Sequence, residues 1–191
     1  MYWYFQIAFL LILEGAQIIK RSFLVKIIKP VYWFSMAAIF GYSVYLTYAQ
    51  YILWNNQPLS KYLLPPDTSI FYFIGYSLWR FWAANFIALI FAILFFFVAK
   101  KLNKKFSERF FENEEILLGS LIIFVCGYPI FIIYFILLLA SFLFANILIT
   151  SIKKEAHRVS LYYFWIPAAL IAIIISELWL IHFPGWSRLI I

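Results

Sequence analysis

The chain is poor in charge. Charged side chains make up 12% of its 191 residues, where a soluble domain carries about 25%. Acids are the scarcest, with eight Asp and Glu against fifteen Lys and Arg. A water-exposed fold of this length could not be covered with so few ionic groups. The chain has a single cysteine, Cys126, which excludes an intramolecular disulfide. Its two histidines, His157 and His182, fit no ligand spacing, so no metal site is implied. Cys126 lies in an apolar run and suits a small buried position. The sequence also lacks a Walker loop, an HExxH pair, a nucleophile elbow and a dinucleotide fingerprint. No cofactor is implied. Basic residues are missing before the first apolar run, "MYWYFQIAFLLILEGAQIIKR", and two follow it. A cleavable signal has the reverse pattern, so the expectation is a retained helix with its N-terminus outside.

What is present is apolar and aromatic: 66% hydrophobic residues and 24% Phe, Trp and Tyr. Lipid accommodates that composition, because lipid-facing positions take apolar side chains. The expected fold is all-α, a polytopic transmembrane helical bundle forming one integral membrane domain over 1–191. Apolar segments run over 2–19, 31–54, 69–99, 116–149 and 161–183. The first is about 27 Å long as a helix and the third about 46 Å, longer than a hydrocarbon core, so its first turns are expected along the outer surface. Pro30 suits the first turn of the second segment. Asn55-Asn56, Pro58 and Pro65-Pro66 predict an irregular loop between the second and third. Trp3, Trp33, Trp54, Trp79, Trp82 and Trp186 fall near segment ends, where amphipathic rings sit at headgroup level.

The net charge of +7 has a topological source. Lys20, Arg21, Lys26 and Lys29 form one basic group. Lys100, Lys101, Lys104, Lys105 and Arg109 form a second, and Lys153, Lys154 and Arg158 a third. None carries a nucleic-acid recognition motif, so nucleic acid is not an expected partner. The positive-inside pattern puts 20–30, 100–115 and 151–160 on the cytoplasmic side of a cell membrane. The apolar stretch 116–149 lies between two of these groups, so it must enter the membrane and return. Gly127-Tyr128-Pro129 is the expected reversal, since Gly permits unusual torsions and Pro breaks helices. This gives a hairpin with a short arm (116–126) and a longer arm (130–149), and about six helical segments in all. Glu112, Glu114 and Glu115 then stand at the start of the short arm, where carboxylates favour the helix dipole.

The order of features in "FFFVAKKLNKKFSERFFENEEILLGSLIIFVCGYPIFIIYFILLLASFLF", followed by "HRVSLYYFWIPAALIA", resembles the prepilin leader peptidases, which are membrane aspartyl peptidases. The likeness covers roughly residues 83–180. It puts the family's GxGD aspartate at Glu115, with Asn113 in a glycine position and Leu117 in that of the basic residue. Leu63 to Asp67 ("LLPPD") is similar to the Ile-Pro-Asp near the second catalytic acid, with Leu59 and Ser60 where that acid would stand. The resemblance implies a degenerate, prepilin-peptidase-like member without peptidase activity, acting as a membrane scaffold or assembly partner of other membrane proteins. The alternatives are an active divergent peptidase using Glu115 as its catalytic residue, with Glu14 the other available acid, or a transporter subunit. One further pairing follows from depth. Arg80 and Glu177 lie about 28 and 24 Å from the cytoplasmic ends of their helices. An intramembrane charge seeks a partner, so they form a candidate charge pair; alternatively, Arg80 snorkels outward beside Trp79 and Trp82.

Overall fold

The computed structural model describes residues 2–19, 21–106, 111–153, 161–182 and 186. Among the described residues there are seven α-helices: α1 (Tyr2–Ile19), α2 (Arg21–Asn56), α3 (Ile70–Ser77), α4 (Ala83–Lys105), α5 (Asn113–Cys126), α6 (Ile130–Lys153) and α7 (Trp165–Leu178). A π-turn, Leu78–Trp82, joins α3 to α4, so 70–105 is one continuous rod. No strand occurs among the described residues. Four helices, Arg21–Asn56, Ile70–Lys105, Ile130–Ser151 and Leu161–Leu178, are long and apolar enough to cross a membrane. The protein is an all-α bundle of the integral membrane type.

Three features differ from the sequence expectation. Pro30 lies inside α2 rather than in its first turn. Pro30 is exposed beside Lys29, which is also exposed, and its ring leaves the carbonyl one turn back without a helical donor. The 69–99 segment contains a π-turn at Leu78–Trp82 that helical periodicity does not predict. The basic residues Lys100 to Lys105 extend α4 rather than forming a loop.

The π-turn is held by side chains. Asn85 Nδ2 donates to Ser43 Oγ at 2.9 Å and to Phe81 O at 3.2 Å, and the Ser43 hydroxyl lies 3.1 Å from the Phe81 and Ile39 carbonyls. Trp82 Nε1 donates to Thr47 Oγ1 at 3.1 Å. Backbone groups released where a helix departs from the α pattern must find partners within the membrane, and here α2 supplies them.

The core surrounds α5. From Glu115 to Cys126 every residue except Leu117 is buried, and α5 packs against α2, α4, α6 and α7. The reversal follows at once. Gly127 has φ +73°, a torsion natural to glycine. Gln6 Nε2 of α1 donates to Val125 O at 2.7 Å, Gly127 N–H donates to Ile123 O at 3.3 Å, and Phe131 N–H donates to Gly127 O at 3.0 Å. A fourteen-residue helix cannot reach the far headgroups, yet the turn's backbone is served by protein rather than left to lipid.

Candidate functional site at the basic end of the bundle

The polar residues that sequence reasoning marks around Glu115 meet at one end of the bundle. The N-terminus of α5 is a capping box. The Glu112 side chain accepts the N–H of Glu115, and Glu115 Oε2 accepts the N–H of Glu112 at 2.9 Å. Two of the orphan donors of a helix start are thereby satisfied. Glu115 is 2% exposed, so the acid that the family resemblance singles out is buried and bonded to its own helix terminus.

Arg21, the first residue of α2, binds the other two acids. Its Nη2 donates to Glu114 Oε1 at 2.7 Å and contacts the Glu112 carboxylate. The guanidinium carbon lies 4.6 Å from the centre of the Tyr162 ring, within the range of a cation–π contact. Burial pushes the Glu114 carboxyl up, but the Arg21 hydrogen bond, backbone hydrogen bonding and the Arg21 charge outweigh it and hold Glu114 below the usual carboxylate range.

Two buried amides complete the end. Gln17 of α1 donates from Nε2 to Tyr162 O at 2.6 Å. Asn103 of α4 clamps Phe111 from both sides, donating to its carbonyl at 2.7 Å and accepting its N–H at 3.0 Å. This clamp sets where the chain turns into α5. Among the described residues, Gln17 Oε1 and Glu14 Oε2 are buried without a hydrogen-bond partner. Lys20, 107–110 and 154–160, including Arg109, Lys154, His157 and Arg158, lie outside the described residues.

These contacts bring the end of α1, the start of α2, the end of α4, the start of α5 and the entry to α7 together. Two of the basic groups, Arg21 to Lys29 and Lys100 to Lys105, therefore lie at the same end. Arg21 carries no sequence signal beyond its place in a basic group, because its partners Glu112 and Glu114 lie about ninety positions away and leave no periodic pattern. Gln17 has a sequence sign, a polar amide in an apolar run, whereas Asn103 lies within the basic stretch 100–105 and has none.

Arg80 and Glu177 are not brought together. Arg80 is exposed on the π-turn and Glu177 half-buried near the end of α7. Among the described residues the ion pairs are those of Arg21. The Arg80 segment packs on α2, α3 and α4, whereas α7 packs on α1, α5 and α6. Matching depth placed the two charges at similar levels, but depth carries no information on position around the bundle.

An acid–base carboxylate pair needs one member to hold a proton while the other activates water. The site has a different construction: Arg21 bridges Glu112 and Glu114, and Glu112 and Glu115 form the cap of α5. Among the described residues no group of three His, Cys, Asp or Glu is placed to hold a metal ion. No family model, no curated protein and no solved structure matches the chain.

Proposed function

We propose that this integral membrane protein is a scaffold or assembly partner for other membrane proteins, resembling a degenerate prepilin-peptidase-like protein and without peptidase activity of its own. The observation that carries this reading is the Glu115 carboxylate, buried and committed to the α5 cap. Arg21 adds support, since its hydrogen bond and charge hold Glu114 below the usual carboxylate range and so work against a shared proton. In this reading the N-terminus is outside and 20–30, 100–115 and 151–160 face the cytoplasm.

Two measurements test it. Purified protein mixed with a prepilin-type precursor is expected to leave the leader intact; cleavage that Glu115→Gln abolishes would overturn the non-enzymatic reading. Ser107→Cys and Ser151→Cys are expected to react with a membrane-impermeant maleimide only after the cell is opened, against a low background because Cys126 is 1% exposed. Reaction of either in intact cells would overturn the orientation.

A further inference from the structure

A groove of about 200 Å³ opens sideways between α2 and α4 at the basic end. Its walls are Lys29, Tyr32 and Trp33 of α2 with Phe96 and Phe97 of α4, over a floor that includes Ser120 of α5. The floor's polar groups are already used. Ser120 Oγ donates to Ala92 O at 3.0 Å and lies 3.2 Å from the Tyr32 hydroxyl. The interior therefore accepts an apolar occupant without leaving a polar atom unsatisfied. The mouth is cationic. Lys29 lines it, and the Lys100 ammonium lies 5.8 Å from the centre of the Phe96 ring that forms one wall. Neither lysine has an ion-pair partner among the described residues. Trp33 and Phe97 are 69% and 63% exposed, so the groove is open to the membrane.

An apolar slot with one lysine in its lining and a second over the ring of a wall residue selects an amphiphile with a negative head. We infer that this groove holds one acyl chain of an anionic phospholipid, with its phosphate between Lys29 and Lys100. Basic pockets between transmembrane helices bind such headgroups. A partner's apolar helix would fill the slot but leave both lysines without an anion, and free phosphate would pair with the lysines but leave the slot empty. The larger groove between α1 and α2, about 490 Å³ and lined by Phe5, Phe9, Phe34 and Tyr42 among others, has no cation in its lining and gives no reason to choose between lipids.

The test uses full-length protein in phosphatidylcholine bilayers carrying a small fraction of acyl-brominated lipid. Trp33 emission is read as the difference between wild type and Trp33→Phe. Brominated phosphatidylglycerol is expected to quench Trp33 beyond random mixing, and brominated phosphatidylcholine is not. Lys29→Gln and Lys100→Gln are each expected to weaken the excess by about fivefold, while Lys26→Gln, outside the groove, leaves it unchanged. Equal quenching by the two lipids would overturn the inference. So would a loss with Lys26→Gln as large as with Lys29→Gln, which would mean a diffuse surface field. Removal of the excess by millimolar inorganic phosphate would mean that the lysines read phosphate alone.

Discussion

The two arms of the hairpin at Gly127 are both strongly apolar, and they meet opposite surroundings. In α5 nearly every side chain from Glu115 to Cys126 is buried. In α6 the buried hydrophobics are Phe131, Tyr134 and Leu138, while Ile136, Leu143 and Phe144 are each more than half exposed. Hydropathy cannot separate these arms, because lipid and protein interior are equally apolar. One difference is that the buried arm carries Gly119, Ser120 and Cys126 among larger buried residues such as Leu118, Ile122 and Phe124, whereas the exposed positions of α6 are mostly Ile, Leu and Phe, with Ala140 among them. The neighbours of α5 also bury small residues. On α4 the buried positions are Ala88, Ala92, Ala99 and Asn103, and on α7 they include Ala168, Ala169, Ala172 and Ser176. Without a hydrophobic drive between helices, close backbone approach and hydrogen bonds hold a membrane bundle together, and small residues permit both.

Gly119 is where that comparison breaks most sharply. A Cβ there would lie 2.6 Å from the Trp165 ring and 2.8 Å from Phe95. Trp165 is buried and packs edge-on to Phe95 with ring centres 5.7 Å apart, so the obstacle is a fixed ring rather than a flexible tip. Gly119→Val is expected to cost about 1–3 kcal/mol or more through overpacking. It should appear as a lowered melting temperature and a loss of monodisperse protein in detergent. Leu139→Val on the lipid face of α6, where Leu139 is 58% exposed, is expected to change neither. Equal sensitivity of the two sites would mean that the close approach at Gly119 carries no special weight in the packing of α5.

This contrast also explains what was legible in the sequence. The spans, the reversal at Gly127-Tyr128-Pro129 and the three acids at the start of the short arm follow from length, helix breakers and charge, which are local properties. The burial of α5 on all sides was only implicit, in an arm too short to cross alone. The π-turn was hidden because its support comes from Ser43 and Thr47, about forty positions away. At the basic end the three acids could be placed at a helix start, but their division of labour could not. Glu112 and Glu115 cap α5 together, and Glu112 and Glu114 share a cation because α2 begins at Arg21, nine residues before Pro30.

The basic end offers a second, smaller break, and pH reads it. Glu114 is held below its ordinary carboxylate range. A depressed acid contributes stability above its unfolded pKa and loses it as pH falls through its folded value. Thermal stability of the purified protein is therefore expected to decline from about pH 4 downward. Arg21→Gln should lower stability at neutral pH by about 1 kcal/mol at most, since the Arg21 and Glu114 side chains are 40% and 24% exposed and partly screened. It should also flatten the acid decline. An unchanged acid limb in Arg21→Gln would assign that limb to other carboxylates and leave the Arg21 bridge without energetic weight.

The smallest expected effect belongs to the far end, at Arg80. Twenty residues separate Arg80 from Lys100 along one rod, about 30 Å, which matches a hydrocarbon core. With the lysines at one headgroup layer, Arg80 reaches the other, flanked by Trp79 and close to Trp82 on the same π-turn. It is exposed there, and no ion pair ties it to Glu177. A long cationic side chain at that level can extend its head into water and headgroups while its stem lies along apolar surface. Arg80→Leu is therefore expected to alter stability by no more than about 0.5 kcal/mol. Combining it with Glu177→Leu should give the sum of the single effects to within about 0.5 kcal/mol, as for sites that share no partner. An intramembrane pair would behave differently: breaking one partner would strand the other, and removing both would restore much of the loss. Recovery of stability in the double variant would therefore put Arg80 and Glu177 in contact in the bilayer and reject the snorkelling account.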